Sequence, residues 1–372
     1  MSGTGKAAEG LDEALRRAYP ELAALAGAPE PVYLVGGAVR DLLRGEPRAD
    51  IDLVVVGEPE AVARRLGAEQ VASHERFGTA ALELDGHRVD IARARTEAYP
   101  RPGALPVVRP AAAIEPDLAR RDFTVNAMAV PLAGEPRLID PHGGRADLAA
   151  GLLRVLHPRS FVDDPTRALR AARYAARFGL RLEPGTERLL RAADLGTVSA
   201  ERRRAELLRL AGEASASEGF RLLAEWGLAE LRPGGVELAR RVGELLEREP
   251  WRGEADRAAT VLAAALGPEG GEAELARARP SRPSEGWRLA RGRDGTELAL
   301  ARALGAEWLD EYLREWRGVR LQIDGSDLLA AGVPEGPAVG RGLAEALRLR
   351  LDGEVEGREE ELAAALRAAR RV

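Results

Sequence analysis

The stretch GEPRADIDLVVVG, residues 45–57, sets two aspartates, Asp50 and Asp52, one residue apart at the mouth of an apolar run. A short run rich in β-branched residues and closed by glycine predicts a buried strand. Side chains at i and i+2 of a strand share a face, so both carboxylates project together while Ile51 points the other way into a core. Carboxylates beside a core strand are costly unless something compensates them. Oxygen ligands arranged this way suit Mg2+, which keeps waters and substrate phosphates in its remaining positions. A D-x-D pattern alone is common, and its weight comes from its surroundings.

Upstream, PVYLVGG (31–37) predicts a second buried strand ending in Gly36-Gly37, and AVRDLLRG a helix closed by Gly45. Backbone N–H groups at such a strand-to-helix turn, together with the helix dipole, form an anion site. Arg40, in the first turn, is within reach of a triphosphate there. Downstream, Glu60–Leu66 predicts a helix, and TAALELDG (79–86) and HRVDIARAR (87–95) alternate as strands joined at Asp85-Gly86. Asp90, in the latter strand, is a candidate third carboxylate for the same metals. Residues 11–27 are expected to form one amphipathic helix. The proline- and alanine-rich segment 98–118 is expected to be a long surface loop, a kind more often functional than idle.

From about residue 150 the apolar spacing turns to three and four, the period of amphipathic helices. Segment 266–286 interrupts that pattern as a loop or module edge, and a last helical module runs from about Thr296 to the end.

With 372 residues there is room for several packed modules, and 45% hydrophobic content excludes wholesale disorder. Cysteine is absent, which removes disulfides, thiolate nucleophiles and Cys-ligated zinc. The N-terminus has no apolar core of a signal peptide, and no run approaches membrane-spanning length, so a cytoplasmic protein with no membrane association is expected. The net charge is −5, yet Lys6 is the only lysine and almost every positive charge is arginine. An acidic balance does not exclude nucleic acid, because a local basic stripe is what matters. His74, His87, His142 and His157 show no H-E-x-x-H spacing. The tryptophans, Trp226, Trp251, Trp287, Trp308 and Trp316, are expected to pack helices rather than stack bases.

YLVGGAVRDLLRGEPRADIDLVVVG (33–57), DLARRDFTVNAMAV (117–130), LIDPHGGRADLAAGLLRVL (138–156) and DDPTRALRAARYAARFG (163–179) follow one another in order. In this the chain resembles the class II tRNA nucleotidyltransferases, which belong with bacterial poly(A) polymerases in the DNA polymerase β-like superfamily. The tail stretch LQIDGSDLLAAGVPEGPAVGRGL (321–343) is similar to that family more weakly. The resemblance implies an α+β fold: a nucleotidyltransferase head with a mixed sheet (1–150), then an all-helical neck for base recognition (151–215), body (216–295) and tRNA-binding tail (296–372). It also implies metal binding by Asp50 and Asp52, with Asp90 as the third acidic residue. Gly37 and Arg40 would contact the nucleotide, Arg121 the incoming triphosphate, and Asn126 the ribose side of the pocket. Asp122 would be an N-cap, a partner for Arg120 or a catalytic group.

The segment 163–179 has a chemical reading of its own. A helix begun at Pro165 puts Asp164 at its start and Arg167, Arg170 and Arg173 at i+3 steps along one flank. Cytosine and adenine both present an amino donor beside a ring-nitrogen acceptor. A carboxylate accepts from the first and an arginine donates to the second, while uracil and guanine fail both contacts. Asp164 and Arg167 match the Asp and Arg of the family's E-D-x-x-R motif, in which Asp163 replaces the Glu.

The expected chemistry is template-independent addition of CCA to tRNA 3′ ends from CTP and ATP, with Mg2+ aligning the α-phosphate and arginines 121, 170 and 173 offsetting triphosphate charge. The alternatives are a CC-adding or A-adding half-enzyme, a poly(A) polymerase, and an inactive RNA-binding relative. The arginines of ERRRAELLR (201–209) are expected to help grip tRNA.

Overall fold

A computed structural model describes residues 10–47, 50–67, 72–74, 78–84 and 86–370. The chain divides into two compact units, Met1–Glu206 with Glu225–Leu228, and Leu207–Ala224 with Ala229–Val372.

The first unit is built on a six-stranded sheet. Its strands are β1 (Val32–Val35), β2 (Asp50–Val55), β3 (Ala72–His74), β4 (Thr79–Leu84), β5 (His87–Arg93) and, after a separate ribbon of β6 (Arg95–Ala98) and β7 (Val107–Pro110), β8 (Ala129–Pro131). The order is β3-β4-β5-β2-β1-β8, with β2 and β5 parallel and the other neighbours antiparallel. The mixed sheet expected from the resemblance is therefore present.

Alternation along β2 decides which face does what. Ile51, Leu53 and Val55 are buried with Val32, Leu34, Val89 and Ile91 in one core cluster. That core includes side chains of α1 (Leu11–Ala18), α2 (Gly37–Leu43) and α3 (Pro59–Arg65). Burying a Leu or Ile side chain there contributes about 1.5–3 kcal/mol. The opposite face carries Asp50 and Asp52, and the parallel register sets Asp52 directly beside Asp90.

Three expectations on local structure are corrected. The helix expected over 11–27 ends at Ala18, because Pro20 opens a 3-10 turn instead of continuing it. The loop expected over 98–118 contains β7, paired antiparallel with β6 from Arg95↔Pro110 to Ala98↔Val107, and then α4 (Glu115–Ala119). Thr96, Val107 and Val108 supply β-branched partners there, and Pro106 and Pro110 sit where no interior ladder bond is lost. Segment 266–286 holds a short helix, Glu272–Arg277. At the expected 85–86 turn, Asp85 lies outside the described residues, while Gly86 has φ +82° and the strands pair up to Leu84↔His87.

Beyond the sheet the first unit turns helical, with α5 (Gly144–Ala149), α6 (Ser160–Asp163), α7 (Thr166–Phe178), α8 (Pro184–Arg191) and the start of α9 (Ala200–Ala211). A two-stranded parallel ribbon, β9 (Leu152–Leu153) and β10 (Arg181–Leu182), brackets α7 in sequence. The second unit is helical, from α10 (Ala216–Glu225) to its last pair of helices, Pro337–Leu351 and Gly357–Ala369. That pair approaches closely because Gly342 carries no side chain: a Cβ there would meet the Ala365 carbonyl oxygen at 2.7 Å. Trp251 is buried and hydrogen-bonds Asp310, and the Trp308 and Trp316 rings stack at 6.4 Å, the packing role expected of them. Among the described residues no helix is long and apolar enough to cross a membrane.

Candidate active site

A cavity of about 1020 Å³ in the first unit collects the sequence-predicted residues. Asp50, Asp52, Asp90, Gly37, Arg40, Arg121, Asn126, Asp164, Arg167, Arg170 and Arg173 all line it. Nine arginines and seven carboxylates face this one space, with no lysine or histidine among them. That mixture suits a polyanion with cations on one side of it.

The sheet supplies the acidic wall. Desolvation raises the Asp52 carboxyl above its ordinary range, and neighbouring Asp90 and Asp50 push the same way against Arg121 and Arg40. Asp90 is held by Arg88, at 3.1 and 3.3 Å. The three aspartates share a face without converging: among the described residues no three His, Cys, Asp or Glu side chains form a ready metal cluster. The excess of negative charge at Asp52 nonetheless fits a hard cation held by Asp50 and Asp52.

The turn before α2 depends on Gly36 rather than Gly37. Gly36 has φ +63°, and a Cβ on it would lie 2.4 Å from Nη1 of Arg121, whereas Gly37 has only ordinary contact with Arg40. Arg40, 4% exposed, donates from Nε to Asp41 at 2.8 Å and from Nη1 to Asn126 Oδ1. Its guanidinium also lies 4.0 Å from the Phe178 ring centroid. The Asn126 amide is used at both ends, since Nδ2 donates to Asp122 Oδ1 at 3.1 Å.

Asp122 is not the partner of Arg120. Its Oδ1 accepts from the Phe123 N–H at 2.8 Å, and its Oδ2 from Arg170 Nη2 at 2.5 Å. Burial works to raise its pKa, but Arg170, Asn126 and Arg167 outweigh that and hold the carboxyl below its ordinary range. Asp122 in turn raises the Arg170 pKa against desolvation. Arg120 instead pairs with fully buried Asp117 and with Glu97, at 2.7 and 2.9 Å. Asp117 also accepts from Arg121 at 3.1 Å and from the Arg95 N–H at 3.2 Å, so one carboxylate positions both arginines of the R-R-D sequence.

The helical wall carries Asp164 and Arg167. Asp164 precedes α7, and its Oδ1 accepts from the Thr166 N–H and Oγ1 at 3.2 and 2.6 Å. Arg167, 3% exposed, donates to Ser160 Oγ and to the Arg120 carbonyl oxygen, each at 2.7 Å. Both acceptors are neutral, so the guanidinium is oriented without its charge being cancelled there. Tyr99 sits beside Arg167, with the guanidinium 6.0 Å from its ring centroid, and burial pushes its hydroxyl up to about 12.

Sequence reasoning missed Arg202. The arginines of 201–209 are expected to help grip tRNA, yet Arg202 turns inward to pair with Asp164 at 3.0 Å. Asp117 and Ser160 were also missed. Each acts through a neighbour; Asp117 lies inside a motif stretch that could have marked it, whereas Ser160 lies outside all of them.

A family model described as the poly A polymerase head domain matches residues 32–154. Over 357 residues the chain is 38% identical to a CC-adding tRNA nucleotidyltransferase of Deinococcus radiodurans, covering 92% of this chain and 90% of that protein. It is 45% identical over 207 residues to an A-adding tRNA nucleotidyltransferase of Halalkalibacterium halodurans; that match covers 52% of this chain and spans about half, 48%, of the relative. Among solved structures, an apo CCA-adding enzyme superposes with a TM-score of 0.80 at 30% identity, over 96% of this chain and 99% of that one.

Proposed function

The chain belongs to the class II tRNA nucleotidyltransferases, and from that premise we propose that it adds CCA to tRNA 3′ ends from CTP and ATP, without a nucleic-acid template. The observation that carries this reading is the sharing of one cavity by the Asp50/Asp52 face and the Asp164/Arg167 pair. A single reading pair fits both bases, because cytosine and adenine offer the same donor and acceptor to it.

Asp50 and Asp52 would hold divalent cations, Mg2+ in our reading, with Asp90 flanking them. Bound there, two such ions lower the pKa of an attacking hydroxyl and stabilise a departing pyrophosphate. Arg121, Arg170 and Arg173 would offset charge on the triphosphate, and Gly37 and Arg40 would shape its binding turn. Asn126, by holding Arg40 and Asp122 together, would set the ribose side. Asp164 would accept from the base amino group while Arg167 donates to the ring nitrogen. We assign 1–150 as the head, 151–215 as the neck, 216–295 as the body and 296–372 as the tail that holds tRNA by its backbone and shape. The setting we infer is the cytoplasm.

A second reading, CC addition alone, is favoured by the near full-length likeness to a CC-adding relative. Three tRNA transcripts, ending at the discriminator base, in CC and in CCA, separate the two. Supplied with Mg2+ and CTP, ATP or both, the full chain is expected to extend the first to CCA. Arrest at CC would assign the half-enzyme, and no extension of any transcript would overturn nucleotide addition.

A further inference from the structure

Arg202 bridges two fixed acceptors. Its Nη2 donates to Asp164 Oδ1 at 3.0 Å and its Nη1 to the Gly103 carbonyl oxygen at 2.7 Å. The Gly103 end packs closely on Thr197: φ is +69°, and a Cβ there would lie 2.5 Å from the Thr197 carbonyl oxygen. With the two bonds from Thr166, three donors converge on Oδ1 of Asp164. Among the described residues none donates to Oδ2, although Asp164 lines the cavity. The terminal torsion of an aspartate is broad and two-fold, so without such bonds the carboxylate would turn.

The neighbouring carboxylate does not share this task. Asp163, at the position of the family Glu, pairs with Arg159 at 2.9 Å.

We propose that Arg202 is a positioning residue for base selection: by filling Oδ1 it leaves Oδ2 of Asp164 as the acceptor presented to the amino group of cytosine or adenine. The inference rests on the reading that Asp164 and Arg167 select the base. A held acceptor rejects uracil and guanine because each brings a carbonyl oxygen against it, leaving two acceptors with no proton between them. A carboxylate free to turn relaxes that rejection by swinging aside or admitting a bridging water. Loss of Arg202 therefore erodes discrimination more than it weakens binding of the right bases.

The test measures equilibrium binding of CTP, ATP, UTP and GTP to the full chain with Mg2+, for wild type, Arg202→Gln, Arg202→Lys and, as a control at an exposed arginine of α8 that pairs with Glu187, Arg191→Gln. Wild type is expected to prefer CTP over UTP and ATP over GTP. Arg202→Gln should reduce each ratio about tenfold, the scale of one oriented hydrogen bond. Arg202→Lys should recover part of it, since an ammonium reaches Asp164 without also spanning to Gly103. Arg191→Gln should leave the ratios where they were. Ratios unmoved in Arg202→Gln, or an equal loss for all four nucleotides, would overturn the proposal while leaving the wild-type preference, and so the base-reading pair, intact. No preference in wild type would overturn both. If Arg202→Gln does not melt cooperatively, Arg202→Lys carries the same comparison.

Discussion

Arg170, on the flank of α7, and Asp122, 48 residues earlier, meet at 2.5 Å, and this pair fastens the helical wall of the cavity to the segment following α4. The Arg170 side chain keeps 29% of its exposure while that of Asp122 keeps 3%, so the carboxylate is the buried partner and the arginine its outlet to the cavity.

Truncating either side of that pair is costly. Asp122→Ala should lower stability by about 3 kcal/mol, the lower end for breaking a buried ion pair, because Arg170 retains some solvent. Arg170→Ala should cost a comparable amount by leaving the Asp122 carboxylate uncompensated. Chemical denaturation of both variants checks the magnitude.

The same pair predicts a pH dependence. The folded Asp122 carboxyl titrates below its ordinary range, so its stabilisation is fully present above the unfolded value of about 4 and is lost as pH falls through the folded value. Melting profiles from pH 7 down to pH 3 should fall more steeply for wild type than for Asp122→Asn. Parallel profiles would contradict this.

Asp52 carries the opposite sign. Its carboxyl is raised on folding, so its charge works against the fold at neutral pH, and the penalty fades as pH falls through the raised value. Without divalent cations, Asp52→Asn should therefore melt above wild type at pH 7. Added Mg2+ should raise the wild-type midpoint and reverse the order, since a ligand that binds only the folded chain stabilises it. Nucleotide addition by Asp52→Asn should drop by at least about a thousandfold, the expected scale for removing a metal-holding carboxylate.

Gly36→Ala probes the turn before α2. A side chain there is strained by φ +63° and displaces the Arg121 guanidinium, so a cost of about 1–2 kcal/mol is expected. Gly37→Ala, facing ordinary contacts only, should be close to neutral in stability. Reversed rankings in thermal melts would refute this assignment of the two glycines.

Much of the architecture around the site was legible in the sequence because it follows from period. Alternation in 50–55 and 87–93 gave the strands and the face of their aspartates, and the i+3 spacing of Arg167, Arg170 and Arg173 put all three on the cavity. What the sequence withheld was pairing at long separation. The β6–β7 ribbon hid behind its prolines, because composition argues for loop where the register of Thr96 with Arg109 makes a ladder. Arg202 and Asp164 lie 38 residues apart, and nothing in ERRRAELLR distinguishes the arginine that turns inward. Asp117 falls within the segment that reads as a loop, and its complete burial and its bonds to Arg120 and Arg121 appear only once α4 is in place.

The arginine monopoly on the cavity's positive charge has a consequence for how the protein meets changes in acidity. A guanidinium keeps its proton throughout the range in which proteins stay folded, whereas an imidazole or ammonium in the same place would switch. With no histidine or lysine among the lining residues, the positive charge this chamber presents to a phosphate chain is constant from mildly acid to mildly alkaline solution. A limb in its rate profile near neutral pH then belongs to the reacting hydroxyl, to the ions beside it or to the carboxylates that hold them, since the guanidiniums keep their charge throughout.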